Sequence, residues 1–462
     1  MSVCGRVSVN IFNIKFVNTL SIKKNKSMKL NSIIKYVYIG CVIVLCSFCK
    51  TEKITQSKIQ INNKTQLDSI TDSFVDNGAY PFLYVRVEDI DGKVVYEHGK
   101  VNKDLVGDKK VDGDTWIRIW SMSKIVTITT FFDLVEDGLV KLDDPVTKFI
   151  PEFKNLQVAV NQNGQPVAHL KEGESPCPIK MVPMEEVMTI EHLLNHQAGF
   201  YYAFNGIDCI DKSMMEQDLA TSKNTDEFIQ RLIKLPLIHQ PGAFRHYGTN
   251  TTVLGMVAER ASGKTLKQLV EERMTGPMKI EGLQYGLPDG VKLLPKVSGQ
   301  DTVLRIANDG ELDIFGANVP FYDPSHTLYL GGEGMLATAD GYLDFLRMFL
   351  KKGKLNGYRF LDEASILDIQ SPHTQLDNKY GYNGYNLWVS NDSMRIKGEG
   401  DKGLLMGAGY EGTHFWMDPK RELVGVIMSQ IFMVPPNGYG RDEKIRGAMY
   451  QQFFREEAAA RN

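Results

Sequence analysis

The chain has 462 residues, enough for one large domain or for two to three ordinary ones. Hydrophobic residues make up 43% and charged residues 24%, which is typical of a globular protein whose core is large enough to need no metal or disulfide staple. The formal net charge is -3 and the sequence has no strongly basic stripe, which argues against a nucleic-acid partner.

Residues 1–49 differ in kind from the rest of the chain. Two lysines flank an apolar run over residues 36–48, which is too short for a comfortable membrane span and is typical of a secretory signal. Met28 is then a candidate for the true start, and Cys49 resembles a lipoprotein acylation site, although the residues before it fit the usual small-residue pattern poorly. We expect an exported protein, periplasmic or held to a membrane by lipid. The alternative is an N-terminal membrane anchor that is never cleaved.

Six cysteines occur, and four of them lie at or before Cys49. The exported part would keep only Cys177 and Cys209. An oxidising compartment would let these two pair, and two buried, unpaired thiols are the alternative.

The remaining chain shows strand patterns at its two ends. Residues 50–65 are polar and predict a tether into a first helix. Alternating apolar and polar residues on both sides of Asp91-Gly92 predict a hairpin with a tight I′ turn, and a second hairpin turns at Asp418-Pro419. A helix is predicted over residues 442–457. Strands that are distant in the sequence would then meet in one antiparallel sheet, and the chain between them would be mostly helical.

A Ser-x-x-Lys motif, Ser121 to Lys124, opens the helix that follows the first sheet segment. An apolar stripe with helical period predicts this helix (Ile125, Ile128, Phe132, Val135 and Leu139), and Gly138 suits its end. Three-residue spacing puts Ser121 and Lys124 on one face, so the amine can reach the hydroxyl, and the helix N-terminus favours a developing oxyanion there. Alternatively, Ser121 only caps the helix and Lys124 is solvated.

His192 and His196 have the i,i+4 spacing of a metal pair. The zinc-protease pattern requires Glu after the first His, whereas Leu193 stands there, and no carboxylate at ligand spacing completes a site. We therefore predict no metal site and interpret this segment as a packed helix end that turns at Gly199.

Two glycine-rich runs, residues 329–350 and 403–416, lack the form of a phosphate loop, so no nucleotide cofactor is expected. The first predicts a turn and then a helix from about Ala339, and the second leads into a strand. Tyr247 precedes a helix predicted from about Thr251, and by itself it would be an ordinary packing residue.

Together these segments resemble the serine beta-lactamase and penicillin-binding-protein superfamily, and they are most similar to its class C-like branch, which includes family VIII carboxylesterases. The similarity is carried, in order, by "DTWIRIWSMSKIVT", "MTIEHLLNHQAGF", "QPGAFRHYGTNTTVLGMVAERASG" and "YLGGEGMLATADGYLDFLRMFL" followed by "GAGYEGTHFWMDPKRELVGVIMSQ". It implies an α+β, beta-lactamase-like fold over residues 66–455, with an antiparallel sheet flanked by helices, a mostly helical insertion over roughly 130–345, and a tail from residue 456. In this family the histidine block is structural.

The resemblance also implies roles for individual residues. Ser121 would be the acylated nucleophile, Lys124 would lower the barrier to its deprotonation and could act as base, and Tyr247 would be the second proton-transfer group. The oxyanion hole would combine the backbone N–H groups of Ser121 and of Tyr410 on an edge strand. The other substrate-binding positions would be Ala408, Gly409 and Thr249.

Two departures from the family pattern bear on the substrate. Thr249 stands where lactamases and peptidases have the Asn of Tyr-x-Asn, with Asn250 one residue later, and residues 407–409 (Gly-Ala-Gly) lack the usual cation that holds a substrate carboxylate. We therefore expect a small-molecule ester, or a related acyl or lactone substrate, rather than a beta-lactam or a D-Ala-D-Ala peptide. A beta-lactamase or DD-peptidase is the alternative, and a non-catalytic surface binding protein is a third hypothesis. The acyl acceptor, water or an alcohol, and the oligomeric state are left open.

The segment over residues 305–332 is a candidate wall of the cleft. Its aromatic residues Phe315, Phe321, Tyr322 and Tyr329 would give that wall an apolar lining. An ordinary surface loop with packed aromatic residues is the alternative.

Overall fold

Strands from the two ends of the chain lie side by side in the computed structural model, which describes residues 59, 61–169, 177–203, 207–308, 311 and 325–459. The strands are β1 (Phe82–Asp89), β2 (Val94–Val101), β3 (Ile117–Arg118), β4 (Gln157–Val160), β5 (Lys180–Pro183), β6 (Leu283–Tyr285), β7 (Val297–Ser298), β8 (Arg305–Ile306), β9 (Met335–Ala337), β10 (Lys354–Leu355), β11 (Tyr358–Arg359), β12 (Thr374–Gln375), β13 (Tyr380–Asn383), β14 (Trp388–Ser390), β15 (Leu405–Gly409), β16 (Thr413–Asp418) and β17 (Leu423–Met428).

The helices are α1 (Lys64–Asp76), α2 (Lys103–Val106), α3 (Ser123–Glu136), α4 (Ile190–Leu194), α5 (Asp208–Gln217), α6 (Thr225–Leu232), α7 (Asn250–Ser262), α8 (Leu266–Leu269), α9 (Gly276–Met278), α10 (Ala339–Leu350), α11 (Glu363–Gln370), α12 (Asp392–Ile396) and α13 (Arg441–Ala459). α1 thus begins inside the segment predicted as a tether, and α13 runs two residues beyond the helix end predicted at 457. The helices predicted from about Ala339 and Thr251 are observed as α10 and α7.

The main sheet has eight strands in the order β12-β13-β14-β15-β16-β17-β1-β2, and every neighbouring pair is antiparallel. β1 pairs with β17, so that Tyr84 lies opposite Met428 and the two ends of the chain close one sheet. Between β2 and β12 the chain is mostly helical, with its short strands in small separate sheets. The α+β prediction is therefore confirmed.

The first hairpin is observed, but its turn is not the predicted I′ type. That type needs positive φ at both central residues, whereas Gly92 has φ 84° and Asp91 stays outside the left-handed region. The Gly92 N–H donates to the Asp89 carbonyl at 2.9 Å, and the Asp89 N–H donates to the Lys93 carbonyl at 3.0 Å. The loop is thus three residues long and places its one left-handed residue at glycine, which avoids a Cβ clash. The second hairpin, between β16 and β17, is also observed.

α3 runs through the core rather than along its surface. Every residue from Ser123 to Phe132 is buried, whereas Leu139, the last member of the predicted stripe, is 45% exposed. The stripe therefore accounts for only part of the burial of α3, which is enclosed on every face from Ser123 to Phe132. α7 is one of the elements packed against it. Gly138 has φ 71° and ends this segment as predicted.

Cys177 and Cys209 form a disulfide with their Cα atoms 6.1 Å apart, which decides between the two alternatives for these thiols. Within the described ranges, no helix has the length and apolar character needed to cross a membrane. The same ranges contain no group of three or more His, Cys, Asp or Glu side chains arranged to hold a metal ion.

Candidate active site

Ser121 lies in a short 3-10 turn, Trp120–Met122, that leads directly into α3. Trp120 has φ 46°, a left-handed conformation that is uncommon for a large residue and that costs backbone energy. Its indole is fully buried and packs edge-on against the ring of Tyr410, with centroids 5.5 Å apart. Ser121 remains partly exposed, although Trp120 and Met122 on either side are buried. The strained and well-packed turn at Trp120–Met122 thus leaves the Ser121 hydroxyl accessible to solvent.

Lys124 and Tyr247 both reach this hydroxyl. The Lys124 Nζ donates a hydrogen bond to Ser121 Oγ at 3.0 Å, and the Tyr247 hydroxyl donates to the same oxygen at 2.7 Å. The ammonium also lies 4.9 Å from the centroid of the Tyr247 ring. Lys124 is fully buried, whereas Tyr247 is partly exposed. The structure therefore brings together the three residues that the sequence motifs singled out as a catalytic set.

The histidine block supports Tyr247 from behind. The His196 ring is fully buried and lies 4.8 Å from the Tyr247 ring, centroid to centroid. Its Nδ1 lies 3.2 Å from the Asn250 amide nitrogen, while the Asn250 side-chain oxygen accepts a hydrogen bond from the Ala198 N–H at 3.3 Å. Burial lowers the pKa of His196 well below its usual value, so the ring is neutral. The Asn250 side chain is thus occupied by its hydrogen bonds to His196 and Ala198, which hold this segment in place.

The end of β15 lies against the turn that carries Ser121. β15 pairs with β14 on one side and β16 on the other, so the prediction that it is an edge strand is wrong. However, its pairing with β14 stops at Met406, and Ala408 and Gly409 pair only with β16. A Cβ at Gly409 would clash with the Ile119 carbonyl oxygen, so glycine allows this close approach.

Tyr410 follows β15 in a turn, and Ala408, Gly409 and Tyr410 are all partly exposed. Thr249 is fully buried at the start of α7, and its hydroxyl has no hydrogen-bond partner in the described part of the chain. Of the predicted substrate-binding positions, those at the end of β15 therefore lie beside Ser121 and partly open to solvent, whereas the Thr249 side chain is enclosed.

Glu333 is the site residue that sequence reasoning missed. It lies in the glycine-rich loop before β9 and is fully buried. One carboxylate oxygen lies 3.3 Å from the Lys124 Nζ and also accepts a hydrogen bond from the Tyr202 hydroxyl, while the other accepts one from the Thr252 hydroxyl at 2.6 Å. The available signal was an acidic residue enclosed by glycines and apolar residues, because a buried carboxylate requires partners.

The charges around Lys124 decide its protonation. Burial alone acts to lower the pKa of Lys124, but Tyr247 and Glu333 outweigh burial and raise it, which favours the ammonium. Burial, followed by the charge of Glu333, raises the pKa of Tyr202 well above its usual value, so that its phenol remains a neutral donor. The site therefore contains one ammonium and one carboxylate beneath a partly exposed hydroxyl.

Two sequence predictions fall largely outside the described residues. Phe315, Phe321 and Tyr322 of the proposed cleft wall lie there, as does Cys49. Tyr329, the described member of that wall, packs edge-on against the ring of Tyr285 with centroids 5.5 Å apart.

Comparison with known proteins identifies the family. A family model described as Beta-lactamase matches residues 67–448. The chain belongs to the beta-lactamase family. Because the matching relatives include an esterase and acyltransferases, it is an enzyme of the serine hydrolase type.

Three relatives show the spread of this similarity. Protein Rv1367c of Mycobacterium tuberculosis is 28% identical over 385 residues, which cover 80% of this chain and 89% of the relative. Acyltransferase mokF of Monascus pilosus is 25% identical, covering 66% of this chain and 71% of its own, and Esterase EstB of Burkholderia gladioli is 26% identical, covering 54% and 61%. The solved structure of EstCE1, a hydrolase with promiscuous acyltransferase activity, shares the fold with a TM-score of 0.66 at 19% identity, covering 84% of this chain and 98% of that one.

Proposed function

We propose that this protein cleaves carboxylic esters of small molecules through an acyl-enzyme on Ser121. The observation that carries the proposal is the convergence of Lys124 and Tyr247 on Ser121 Oγ, at 3.0 and 2.7 Å. A hydroxyl that accepts two hydrogen bonds, one of them from an ammonium, has its oxygen stabilised as it becomes negative.

The acylation step balances with these residues alone. Ser121 Oγ forms a bond to the acyl carbon, and the bond between that carbon and the alcohol oxygen breaks. Tyr247 passes its phenolic proton to the leaving alcohol oxygen and takes up the proton of Ser121, so that the phenol is regenerated. The backbone N–H groups of Ser121 and Tyr410 would hold the negative carbonyl oxygen, since the end of β15 lies against the nucleophile turn.

The residues along β15 favour an ester over a beta-lactam. Positions 407–409 are Gly, Ala and Gly, so they provide no cation for the carboxylate that penicillins and D-Ala-D-Ala peptides carry. The activity named for the relative EstB is that of an esterase, which supports the same choice.

Acyl transfer to an alcohol is the second candidate. The relative mokF is named an acyltransferase, and an acyl-enzyme can pass its acyl group to any hydroxyl that is positioned in place of water. Hydrolysis and transfer share the Ser121 acyl-enzyme and differ only in the second step.

The test compares wild type, Ser121→Ala and Ser123→Ala with p-nitrophenyl butyrate, and uses intact-protein mass spectrometry to detect the butyryl adduct. Ser123 is a matched control because its hydroxyl is buried and accepts the Met335 N–H at 3.1 Å rather than facing the site. We expect a burst and an adduct in wild type and Ser123→Ala, with neither in Ser121→Ala. Full activity in Ser121→Ala would overturn the mechanism.

The same preparation separates the alternatives. Turnover of nitrocefin well above ester turnover would indicate a beta-lactamase, and absence of both a burst and fluorophosphonate labelling would indicate a binding protein. Adding a primary alcohol distinguishes the two fates of the acyl group, because transfer yields a new ester whereas hydrolysis yields the acid.

We further propose that the protein is exported and lipidated at Cys49. The disulfide between Cys177 and Cys209 supports an oxidising compartment. Incorporation of an alkyne-labelled palmitate in a Gram-negative host tests this proposal, with Cys49→Ala expected to lose the label and Cys46→Ala to retain it. Equal labelling of both variants would refute lipidation at Cys49.

A further inference from the structure

The surroundings of the Lys124 nitrogen match an ammonium. It donates to three acceptors: Ser121 Oγ at 3.0 Å, the Gly332 carbonyl at 2.9 Å and Glu333 at 3.3 Å. An ammonium carries three N–H donors, one for each of these acceptors, whereas a neutral amine would donate to Gly332 and Glu333 and accept a hydrogen bond from the Ser121 hydroxyl. The Glu333 carboxylate at 3.3 Å favours the ammonium of these two forms. Because Lys124 and Glu333 are both fully buried, solvent screens their attraction little.

The carboxylate of Glu333 is likewise bound as an anion. Lys124 and Tyr202 donate to one of its oxygens, and Thr252 donates to the other at 2.6 Å. A carboxylate is acceptor-only when ionised, and three donors directed at it stabilise that form. Both members of the buried pair are therefore bound in their charged states.

Two glycines let the loop that carries Glu333 approach the ammonium. A Cβ at Gly332 would lie 2.8 Å from the Thr252 hydroxyl and 3.2 Å from Lys124 Nζ, and a Cβ at Gly331 would lie 2.7 Å from the Thr251 carbonyl. The run Gly-Gly-Glu, read from sequence as a simple turn, thus supplies both a carbonyl and a carboxylate to the same nitrogen.

We infer that Glu333 is a positioning residue that keeps Lys124 an ammonium throughout acylation. Lys124 then stabilises the Ser121 oxygen as a charged donor, and Tyr247, not Lys124, takes up the Ser121 proton. This inference rests on the proposed acyl-enzyme and adds to it the role of Glu333, which keeps Lys124 charged while Tyr247 transfers the protons. No net charge is created in the step, since the Tyr247 proton leaves for the alcohol oxygen as the Ser121 proton arrives.

The other titratable groups around Lys124 come from three elements. Tyr202 and His196 follow α4, Arg245 and Tyr247 precede α7, and Tyr285 lies on β6. Burial keeps His196, Tyr202 and Tyr285 neutral. Arg245 acts on His196 and Tyr247, whereas the Glu333 carboxylate acts on Lys124 directly and favours its ammonium form.

The test is the pH dependence of kcat/KM for an alkyl ester, ethyl butyrate, followed by pH-stat titration in wild type and Glu333→Gln. If Lys124 must stay an ammonium, kcat/KM falls at alkaline pH as Lys124 loses its proton. Replacing the Glu333 carboxylate removes the charge that favours the ammonium, so this fall moves to lower pH. We expect Glu333→Gln to lose about tenfold or more at the pH where wild type begins to fall, with little change at lower pH. A neutral-amine base would instead show an acid limb that moves to lower pH in Glu333→Gln, with a gain in rate near neutrality. That result would overturn the inference.

Thr252→Val is the matched control, because it removes one donor from the same carboxylate and the acceptor of the Gly332 N–H but leaves the charge of Glu333 in place. Its alkaline limb should not move to lower pH, and an equal shift in both variants would show a merely structural effect. Glu333→Asp is a second variant in case Glu333→Gln does not fold. It keeps the negative charge but moves it away from Lys124 by one methylene. We therefore expect the alkaline limb of its pH profile to shift in the same direction as in Glu333→Gln, but by less. An unshifted or raised limb in Glu333→Asp would also refute the inference.

Fluorophosphonate labelling distinguishes failure of the proposed acyl-enzyme from failure of the role assigned to Glu333. If Ser121 of wild type is not labelled, the proposed acyl-enzyme itself fails. If Ser121 is labelled and the pH profile of Glu333→Gln moves as a neutral-amine base requires, only the role of Glu333 fails.

Discussion

The Nζ of Lys124 and a carboxylate oxygen of Glu333 lie 3.3 Å apart, and both side chains are fully buried. Removing two charges from water costs several kcal/mol for each ion, and their attraction offsets this only while both are present and hydrogen-bonded. The pair is thus weak evidence for overall stability, but the loss of one member leaves an uncompensated charge in the core.

Lys124→Met should therefore lower the free energy of unfolding by about 3–5 kcal/mol, because it leaves the Glu333 carboxylate without its cation. The double variant Lys124→Met/Glu333→Gln should recover part of that loss, and urea denaturation measures both. Lys148→Met is a matched control, since Lys148 pairs with Asp144 at 2.8 Å but is 48% exposed, and it should change the value by less than about 1 kcal/mol. A Lys124→Met variant as stable as the control would contradict a charged pair.

Tyr247→Phe should lower kcat by about 100- to 10,000-fold and leave KM little changed, because it removes only the proton-transferring hydroxyl. The ring would keep its contact with His196 at 4.8 Å between centroids, so the fold should be unaffected. Steady-state kinetics with ethyl butyrate, together with a thermal unfolding scan, check both statements.

Tyr202→Phe is the comparison for this prediction. The Tyr202 ring lies 5.6 Å from the Tyr247 ring, but its hydroxyl binds Glu333 and not Ser121. We expect a smaller loss of kcat, and equal losses in the two variants would argue against a distinct proton-transfer role for Tyr247.

The site residues that sequence reasoning found are those with a local signature. Ser121 and Lys124 are three residues apart at a helix start, so their proximity follows from helix geometry. Tyr247 lies 126 residues from Ser121, and only its place in a recognisable block connected it to them. Glu333 had no such block, because its role depends on a loop 209 residues away folding back onto Lys124.

The main errors about the fold have a related cause. The place of β15 in the middle of the sheet is set by β14 and β16 pairing on either side of it, which no pattern within β15 encodes. The burial of α3 on every face from Ser123 to Phe132 likewise depends on distant elements. The first hairpin was predictable because alternation and a glycine are local, whereas its turn type depended on how far the ladder continued beyond Val87.

Gly409→Ala should test the contact between β15 and the nucleophile turn. The added Cβ would clash with the Ile119 carbonyl oxygen and with the Thr413 hydroxyl, which forces the end of β15 away from Ser121. We expect kcat to fall about 100-fold, the loss typical of one misplaced oxyanion donor, with a destabilisation of about 1–3 kcal/mol. Ester kinetics and urea denaturation measure the two effects.

Gly381→Ala is the matched control for that variant. Gly381 lies on β13, and a Cβ there would meet the Asn391 Cβ at 3.3 Å, a tight but non-clashing contact. Its kcat should stay within a few-fold of wild type, and a comparable loss at both glycines would show that the effect is not specific to the end of β15.

His414 lies on β16, opposite Ala408 of β15, and its side chain is buried among charged residues. Its Nε2 lies 3.0 Å from an Arg446 guanidinium nitrogen, which donates to the neutral ring, and its Nδ1 lies 3.5 Å from the Asp442 carboxylate. Burial is the largest cause that lowers the pKa of His414 to about 4, outweighing the opposing charge of Asp442.

The usual pKa of histidine is 6.5. Between pH 6.5 and about 4, His414 is therefore protonated in the unfolded chain but neutral in the folded chain. The folded state should therefore lose stability at this residue as the pH falls through that window, by up to about 3 kcal/mol. His414→Gln keeps an acceptor for Arg446 and cannot titrate, so its free energy of unfolding should fall less steeply from neutral pH to about pH 4. Urea denaturation at a series of pH values measures the difference, which also cancels the contributions of the other buried histidines. Parallel curves for wild type and variant would mean that folding does not lower the pKa of His414.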